Sequence, residues 1–187
     1  TKSFDSVIGV DFSARRLQIA FSLRERGFAQ YSVVNELGER EARQIKTSDY
    51  PWSASREKAF FYQSFPSNLH AHLEGFDLIV AWNVLERAYS PRDVPAHLVE
   101  RLNKGGIIIF AYHCGWESIS EYSAEKSLAT VNAKGERTAA AAVRTLMNGL
   151  CEEVAIDKQY RNMSTVIPET VRTGKFVNFE LLAFRKK

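Results

Sequence analysis

The stretch VIGVDFSAR, from Val7 to Arg15, constrains the fold more than any other part of the chain. Val7–Val10 is a short apolar run rich in β-branched residues, which is typical of a central parallel strand buried on both faces. Asp11 ends this run, and Ser13 is a favourable helix N-cap. In an open parallel α/β sheet, an acid at the carboxyl end of a strand lies at the nucleotide-binding crevice and can accept both ribose hydroxyls. The stretch therefore predicts an α/β protein with a nucleoside cofactor.

The rest of the chain alternates strand and helix patterns, which favours the same class. Leu17, Ala20 and Phe21 recur at helical spacing after the first strand, and Gly27 predicts the end of that helix. Further strands are predicted at Ala59–Gln63, Asp77–Ala81, Ile107–Ala111, Val154–Ile156 and Phe176–Phe184, and further helices from Val94 to Leu102, closed by Gly105-Gly106, and from Thr138 to Leu150.

A chain of 187 residues with 45% apolar and 25% charged residues can bury one sizeable core, which predicts a single domain over residues 1–187. Residues 30–58 interrupt the strand–helix alternation. Within them, Gln30–Val34 and Glu41–Lys46 flank Gly38 and predict a hairpin. We interpret this segment as an insertion over the sheet.

Charge and cysteine content exclude several functional classes. The net charge of +3 is scattered, with a single basic run at residues 185–187, so no nucleic-acid partner is expected. No apolar stretch approaches the ~20 residues of a membrane span, and the first residues lack a signal-peptide pattern. These patterns predict a cytoplasmic protein without a membrane partner. Cys114 and Cys151 lack the spacing of a zinc site, so no metal is expected.

Three segments together resemble a known enzyme family. Residues 7–15, residues 76–91 and the sequence LNKGG at residues 102–106 resemble the class I S-adenosylmethionine-dependent methyltransferases. A narrower resemblance is to the 5-thiohistidine N-methyltransferases of ovothiol biosynthesis. It rests on the sequence DFSAR at residues 11–15, the motif at Asn83–Arg87 and the segment Trp116–Tyr122. In that family the domain commonly follows a histidine sulfoxide synthase. The resemblance implies S-adenosylmethionine as cofactor.

The resemblance also implies a Rossmann-like fold, with a mostly parallel sheet and an antiparallel strand at its C-terminal edge. Its first strand and glycine-rich loop do not appear before Val7, and Thr1–Asp5 corresponds to the end of the helix that follows that loop. A sheet without its central strand leaves backbone unpaired. We therefore expect that the missing strand is truncated or disordered rather than lost, and that residues 1–187 alone bind the cofactor poorly.

Four residues follow the strands predicted at Val7–Val10 and Ala59–Gln63 and are predicted to bind the cofactor. Asp11 accepts the ribose hydroxyls and Phe12 lines the adenine; the alternative for Asp11 is a helix N-terminal acid favoured by the macrodipole. Phe65 stands where related enzymes often place an acid that binds the adenine amino group. Stacking on Phe65 and the backbone amides of Ser64 or Ser67 are the predicted substitutes. The alternative for Phe65 is a core aromatic beside a turn.

The end of the strand predicted at Asp77–Ala81 is expected to reach both the methyl donor and the acceptor. Trp82 and Asn83 are predicted to bind cofactor, and Asn83 also substrate; capping of the next segment is the alternative for Asn83. Glu86, Arg87 and Tyr89 are predicted to bind an amino-acid substrate, because Arg grips a carboxylate with two parallel bonds. A surface ion pair is the alternative, and Glu86 replaces the usual aspartate of the family.

The loop predicted after the strand at Ile107–Ala111 carries the remaining substrate candidates. Tyr112, His113 and Trp116, with Tyr122 beyond them, are expected to wall a pocket for an imidazole ring. The family differs from this chain at residues 112–115.

The expected reaction is methylation of a ring nitrogen of 5-thiohistidine, or of its selenium analogue. A ring nitrogen with a free lone pair needs no dedicated base, so no catalytic residue is assigned. The alternatives are a methyltransferase for another small amine or thiol, or a non-catalytic domain that keeps the fold. A nicotinamide dehydrogenase is a further alternative, because Asp11 alone suits either cofactor. It is the weaker one, since the turn at Asn103–Gly106 and the motif at residues 83–87 resemble those of methyltransferases.

Overall fold

A computed structural model describes residues 4–35, 37–51, 53–85, 88, 90–113, 130–131, 137–168 and 174–187. The chain forms two compact units. The first comprises residues 1–65 and 168–175, and the second comprises residues 66–167 and 176–187. The predicted single domain with an insertion stays a prediction.

The first unit is built on one pair of parallel strands, one helix and one hairpin. Its main elements are β1 (Val7–Asp11), α1 (Ala14–Arg26), β2 (Phe28–Val34), β3 (Arg40–Lys46) and β4 (Ala59–Gln63), with short 3-10 turns at Thr47–Asp49 and within Ser53–Lys58. β1 and β4 are parallel and in register from Val7 opposite Ala59 to Asp11 opposite Gln63. Helix α1 packs against both β4 and β2.

Both ends of α1 follow local signals, and both predictions are confirmed. The Ser13 hydroxyl accepts a hydrogen bond from the backbone N–H of Arg16 at 3.4 Å, as an N-cap does. At the other end Gly27 adopts a left-handed φ of +78° and donates its N–H to the Leu23 carbonyl.

The predicted hairpin is also confirmed. β2 and β3 are antiparallel, with Phe28 opposite Lys46 and Val34 opposite Arg40. Asn35 organises the turn, because its side-chain oxygen accepts the N–H groups of Leu37 and Glu39 at 3.0 and 2.8 Å.

The burial predicted for β1 is wrong. Val7 and Val10 are exposed, and the other three residues of the strand are only partly buried. Among the described residues β1 pairs with β4 alone, so no second strand covers its other edge. An apolar sequence indicates that a strand is suited to burial. How far the strand is buried depends on the elements that pack against it.

The second unit carries a five-stranded sheet. Its elements are β5 (Phe76–Trp82), α2 (Val94–Glu100), β6 (Leu102–His113), β7 (Thr130–Val131), β8 (Arg137–Thr138), α3 (Ala139–Met147), β9 (Cys151–Val154), α4 (Lys158–Arg161), β10 (Asn162–Pro168) and β11 (Gly174–Lys186). The strand order is β10-β11-β6-β5, and β9 also pairs with β11. β5 and β6 are parallel, whereas β11 is antiparallel to β6 and β9. The α/β class with antiparallel C-terminal strands is confirmed.

The core of this unit lies between the sheet and helices α2 and α3. Alternate residues of β6 contribute to it, because successive strand side chains point to opposite faces. Its buried members include Val94, Leu98, Ile108, Phe110, Tyr112, Val143, Met147, Leu182 and Phe184.

The predicted end of the α2 helix is wrong. The helix ends at Glu100, and Leu102 already pairs with Phe76 of β5 at the start of β6. The Asn103 side chain holds this irregular start, because its amide donates to the Gly75 carbonyl at 2.9 Å and to Asp77 at 2.8 Å. Leu102 matches the helical repeat in sequence, but cross-strand pairing takes it into the sheet.

No helix within the described ranges is both long and apolar enough to span a membrane.

Candidate functional site

The carboxyl ends of β1 and β4 bring together the residues predicted to bind a nucleoside. Asp11 lies opposite Gln63 in the parallel register. The carbonyl of Asp11 accepts the Ser64 N–H at 3.2 Å, and the Gln63 side-chain amide donates to the Phe12 carbonyl at 3.0 Å. These bonds tie the two strand ends to each other, at the edge where ligands bind in parallel sheets.

The carboxylate of Asp11 has two partners. One oxygen accepts the backbone N–H of Ser13 at 2.8 Å, and the other lies 3.4 Å from the Arg16 guanidinium. The Asp11 side chain is 28% exposed and that of Arg16 56%, so this ion pair is exposed and weak. An ionised carboxylate has about four acceptor positions. Asp11 therefore supports the start of α1, as its alternative role predicts, and retains capacity to accept hydroxyl groups.

Two aromatic rings follow the same two strands. The rings of Phe12 and Phe65 are parallel within 3°, with centroids 5.8 Å apart. Phe12 is 44% and Phe65 61% exposed, so the alternative of a core role for Phe65 is wrong. Exposed flat apolar faces are suited to stacking on a planar ring.

The predicted adenine contact through the Ser64 amide is not supported. That N–H is already donated to the Asp11 carbonyl, because the hydrogen-bond ladder of the parallel pair continues for one residue beyond β4. The Ser64 side chain as a cofactor ligand stays a prediction.

In the second unit, Trp82 and Asn83 stand at the end of β5, as predicted. Asn83 adopts a left-handed φ of +51°, which Asn tolerates better than most residues, and donates its N–H to the Ala111 carbonyl at 2.8 Å. Its side-chain oxygen is buried and accepts no hydrogen bond from the described residues. Such an acceptor is costly to bury, which is typical of a site that binds a donor. The predicted capping role is not seen there.

Trp82 is 46% exposed although its ring packs at 5.0 Å from the ring of Phe179. One face of the indole is therefore held by β11 while part of the ring is open to solvent. The strand end offers an apolar surface beside the unpaired acceptor of Asn83.

The prediction that Tyr112 and His113 lie in a loop is wrong. Both belong to β6, where β11 pairs Glu180 with Tyr112 and Phe179 with His113. Tyr112 is buried in the core, so it does not wall an open pocket. The apolar run predicts that the strand ends at Ala111. Antiparallel pairing with β11 extends β6 to His113. Glu86, Arg87, Tyr89 and Trp116 lie outside the described residues.

Three contacts of the candidate site are not predicted from the sequence. Gln63 holds the Phe12 carbonyl, Arg16 faces the Asp11 carboxylate, and Phe179 supports Trp82. The Gln63 contact has a sequence signal, because Gln63 ends the strand that runs beside β1. Phe179 lies almost a hundred residues from Trp82 along the chain and has none.

Two cavities among the described residues lie elsewhere in the second unit. One of about 400 Å³ is lined by α3, β9 and β11, including Arg144, Cys151 and Glu153. Another of about 320 Å³ is lined by β9, β11 and residues 155–156. Arg144 and Glu153 form a bidentate ion pair that raises the pKa of Arg144, and burial raises the pKa of the Cys151 thiol. No predicted site residue lines either cavity, and the described residues contain no group of three potential metal ligands.

No protein-family model matches the chain, and no curated protein matches it in sequence. Several solved structures match it in fold. The N-methyltransferase NodS from Bradyrhizobium japonicum WM9, in complex with S-adenosyl-L-homocysteine, is 14% identical with a TM-score of 0.53, and the match covers 97% of this chain and 66% of NodS.

Two further structures match over most of their own length. An S-adenosylmethionine-dependent methyltransferase from Methanosarcina mazei is 13% identical with a TM-score of 0.53, over 97% of this chain and 82% of its own. The YcgJ protein of Bacillus subtilis is 10% identical with a TM-score of 0.56, over 98% of this chain and 83% of its own. Identities this low show the fold alone. The chain has the fold of the class I S-adenosylmethionine-dependent methyltransferases.

Proposed function

We propose that the protein is an S-adenosylmethionine-dependent methyltransferase that acts on a small molecule. The observation that carries this proposal is the position of Asp11 at the joined carboxyl ends of β1 and β4, with accepting capacity left on its carboxylate. The fold supports it, because NodS shares the fold and its structure holds S-adenosyl-L-homocysteine.

The residues of the first unit fit the nucleoside half of this cofactor. The Asp11 carboxylate can accept the ribose hydroxyls once the exposed Arg16 side chain gives way. Phe12 and Phe65 present exposed apolar faces for the adenine, and Gln63 fixes the backbone of Phe12. When bound, S-adenosylmethionine supplies an electrophilic methyl group on a sulfonium.

In the second unit, we assign Asn83 and Trp82 to ligand binding. The unpaired side-chain oxygen of Asn83 requires an N–H or O–H donor, such as an amino group of the cofactor or an acceptor N–H. Trp82 provides an apolar surface next to it. These residues align a ligand and exclude water, and correct alignment alone accounts for several kcal/mol of a reaction barrier.

The proposed acceptor is a ring nitrogen of 5-thiohistidine or its selenium analogue. This proposal rests on the sequence resemblance of residues 11–15, 83–87 and 116–122, and it agrees with the N-methyltransferase name of NodS. Arg87 is assigned to the substrate carboxylate and Glu86 to its ammonium group. Tyr89, His113 and Trp116 are assigned to the imidazole ring on the same resemblance. The cytoplasmic location stays a sequence prediction.

The test is methyl transfer by the intact protein. Incubation with S-adenosylmethionine and 5-thiohistidine is expected to give a product heavier by about 14 mass units, one CH2, with release of S-adenosylhomocysteine. Histidine serves as the control acceptor, and a panel of small amines and thiols extends the search. Cofactor binding without thiohistidine methylation would refute the acceptor only. Because residues 1–187 alone are expected to bind the cofactor poorly, calorimetry with S-adenosylhomocysteine uses the full-length protein, including any segment that precedes Thr1. No binding to that protein would refute the methyltransferase proposal.

A further inference from the structure

The outer edge of β2, on the side away from β3, is an unusual surface of the first unit. The Thr47 N–H bonds to the Gly27 carbonyl at 2.8 Å, and the Asn35 N–H bonds to the Glu39 carbonyl at 2.9 Å. In an antiparallel pair, hydrogen-bonded residues alternate along each strand. The odd-numbered residues of β2 therefore point their backbone groups at β3, and the even-numbered residues point theirs outward.

The outward backbone groups have almost no partners within the described part of the chain. They belong to Phe28, Gln30, Ser32 and Val34, and only the Phe28 carbonyl accepts a bond, from the Ser22 hydroxyl at 2.8 Å. The strand pairs with β3 alone among the described strands. Its side chains are also accessible, since Tyr31 is 40% and Val34 50% exposed.

The sequence of β2 does not protect this edge. Natural edge strands are shielded by charged side chains, proline or bulges. β2 reads FAQYSVV, with no charge, no proline and no glycine, whereas β3 reads REARQIK and carries four charged residues. Four of the seven residues of β2 are aromatic or β-branched, and such a neutral segment without proline is suited to pairing with another strand.

We propose that the outer edge of β2 binds the same edge of a second copy, so that β2 pairs antiparallel with its symmetry mate in a two-fold dimer. With the two-fold axis at Tyr31, Phe28 faces Val34, Ala29 faces Val33, and Gln30 faces Ser32. The even-numbered residues then face one another, so the free N–H and C=O groups of Gln30 bond to those of Ser32 on either side of the axis. The Phe28 carbonyl keeps its bond to Ser22 of α1, so the central pairs carry the ladder. Aromatic and β-branched cross-strand pairs are favourable, and no like charges meet.

The charge pattern selects β2 rather than β3 for this contact. The same two-fold arrangement at β3, centred on Arg43, would bring two arginines face to face and place Arg40 opposite Lys46. Like charges directly opposite each other destabilise a strand pair. A β2 interface is also isologous, so it closes at two copies instead of growing into a filament.

The expected dimer is weak. One added strand pair buries less than about 1,200 Å², which is typical of transient interfaces. We therefore expect a dissociation constant in the micromolar range. Sedimentation velocity of the intact protein between about 1 and 100 µM should show monomer converting to dimer over that range.

A matched pair of variants locates the interface. Ser32→Pro removes an outward N–H that β3 does not use, so it spares the hairpin while it blocks the dimer ladder. Ser32→Thr keeps this N–H. The first variant should stay monomeric at about 100 µM, and the second should dimerise as the wild type does. Circular dichroism checks that each variant is folded.

A charge exchange tests the two-fold axis independently of the proline variant. Tyr31→Lys and Tyr31→Glu should each weaken self-association, and an equimolar mixture should restore a dimer that contains one of each. Wild type that remains monomeric at about 100 µM overturns the proposal, as do a dimeric, folded Ser32→Pro, a mixture that fails to associate, or open-ended oligomers. The interface does not depend on the proposed methyl transfer.

Discussion

At the scale of single residues, Asp11 performs one of the two tasks that the sequence presents as alternatives and is proposed to perform the other. Its carboxylate accepts the Ser13 N–H at the start of α1, and it stands at the strand end where a ribose would bind. The two tasks use different acceptor positions of one side chain. Substitutions that separate charge from hydrogen bonding can therefore separate the two tasks.

Asp11→Asn retains an oxygen for the Ser13 N–H but loses the negative charge. We expect it to lower the affinity for S-adenosylhomocysteine about tenfold or more, because hydrogen bonds to a charged group contribute about 1.5–3 kcal/mol. Its melting temperature should stay close to that of the wild type. Asp11→Ala should lose similar affinity and also some stability, since it leaves the N–H unpaired. Calorimetry and thermal melting measure the two quantities, and unchanged affinity in both variants would refute the ribose role.

Phe65→Ala tests the ring pair after β1 and β4. Because Phe65 is 61% exposed, its truncation should alter the melting temperature little. Loss of a stacked ring is expected to cost about 0.5–1.5 kcal/mol of cofactor affinity, up to roughly tenfold in the dissociation constant. Phe65→Trp, which keeps a flat face, is the control. A strong loss of stability with unchanged affinity would assign Phe65 to the fold.

At the scale of elements, the end of α1 and the turn between β2 and β3 each require a left-handed backbone conformation, which glycine adopts readily. Gly27 and Gly38 have φ values of +78° and +80°, which cost about 1–2 kcal/mol for a residue with a Cβ. The two sites differ in their surroundings. A Cβ at Gly27 would clash with the Arg56 guanidinium and lie 3.3 Å from the Thr47 hydroxyl, whereas at Gly38 it would meet no other atom of the described residues within 4 Å.

Gly27→Ala and Gly38→Ala therefore form a matched pair. Both should lower the free energy of unfolding by about 1–2 kcal/mol through backbone strain. Gly27→Ala should cost somewhat more, because Arg56 must also move. Urea denaturation monitored by circular dichroism gives both values. A larger loss at Gly38 than at Gly27 would contradict the account of crowding.

At the scale of the whole molecule, one thiol in the core of the second unit contributes to the dependence of the free energy of unfolding on alkaline pH. Cys151 is buried at the start of β9, and this burial raises the pKa of its thiol despite the nearby Lys186 and Lys187. The folded state thus holds the thiol proton more tightly than the unfolded state does. The resulting stabilisation is complete below the unfolded pKa of about 8.5 and is lost as the pH rises through the folded pKa.

Cys151→Ala removes this titration and nearly preserves the volume of the side chain. Above about pH 8.5 its free energy of unfolding should fall less steeply than that of the wild type, until the pH has passed the raised pKa of the folded thiol. Below about pH 8 the two pH curves should be parallel. Urea titrations at a series of pH values compare them. Parallel curves over the whole range would show that Cys151 does not titrate in this window.

Local signals in the sequence determined the elements whose causes lie within a few residues. Ser13 and Gly27 set both ends of α1, the Asn35–Gly38 turn set the hairpin, and the run at residues 59–63 set β4. The acid at the end of β1 also identified the strand edge that carries the candidate site. Capping, turn and propensity effects act over short distances along the chain, so they can be read without knowing the fold.

Only the tertiary structure decided which strands pair and what each face contacts. Pairing with β5 took Leu102 from the predicted helix into β6, and pairing with β11 buried Tyr112 and brought Phe179 against Trp82. The free edge of β2 likewise depends on which strands lie beside it. These outcomes depend on contacts between segments far apart in sequence, and such contacts overrule local preference because burial and strand pairing are properties of neighbours, not of the residue alone.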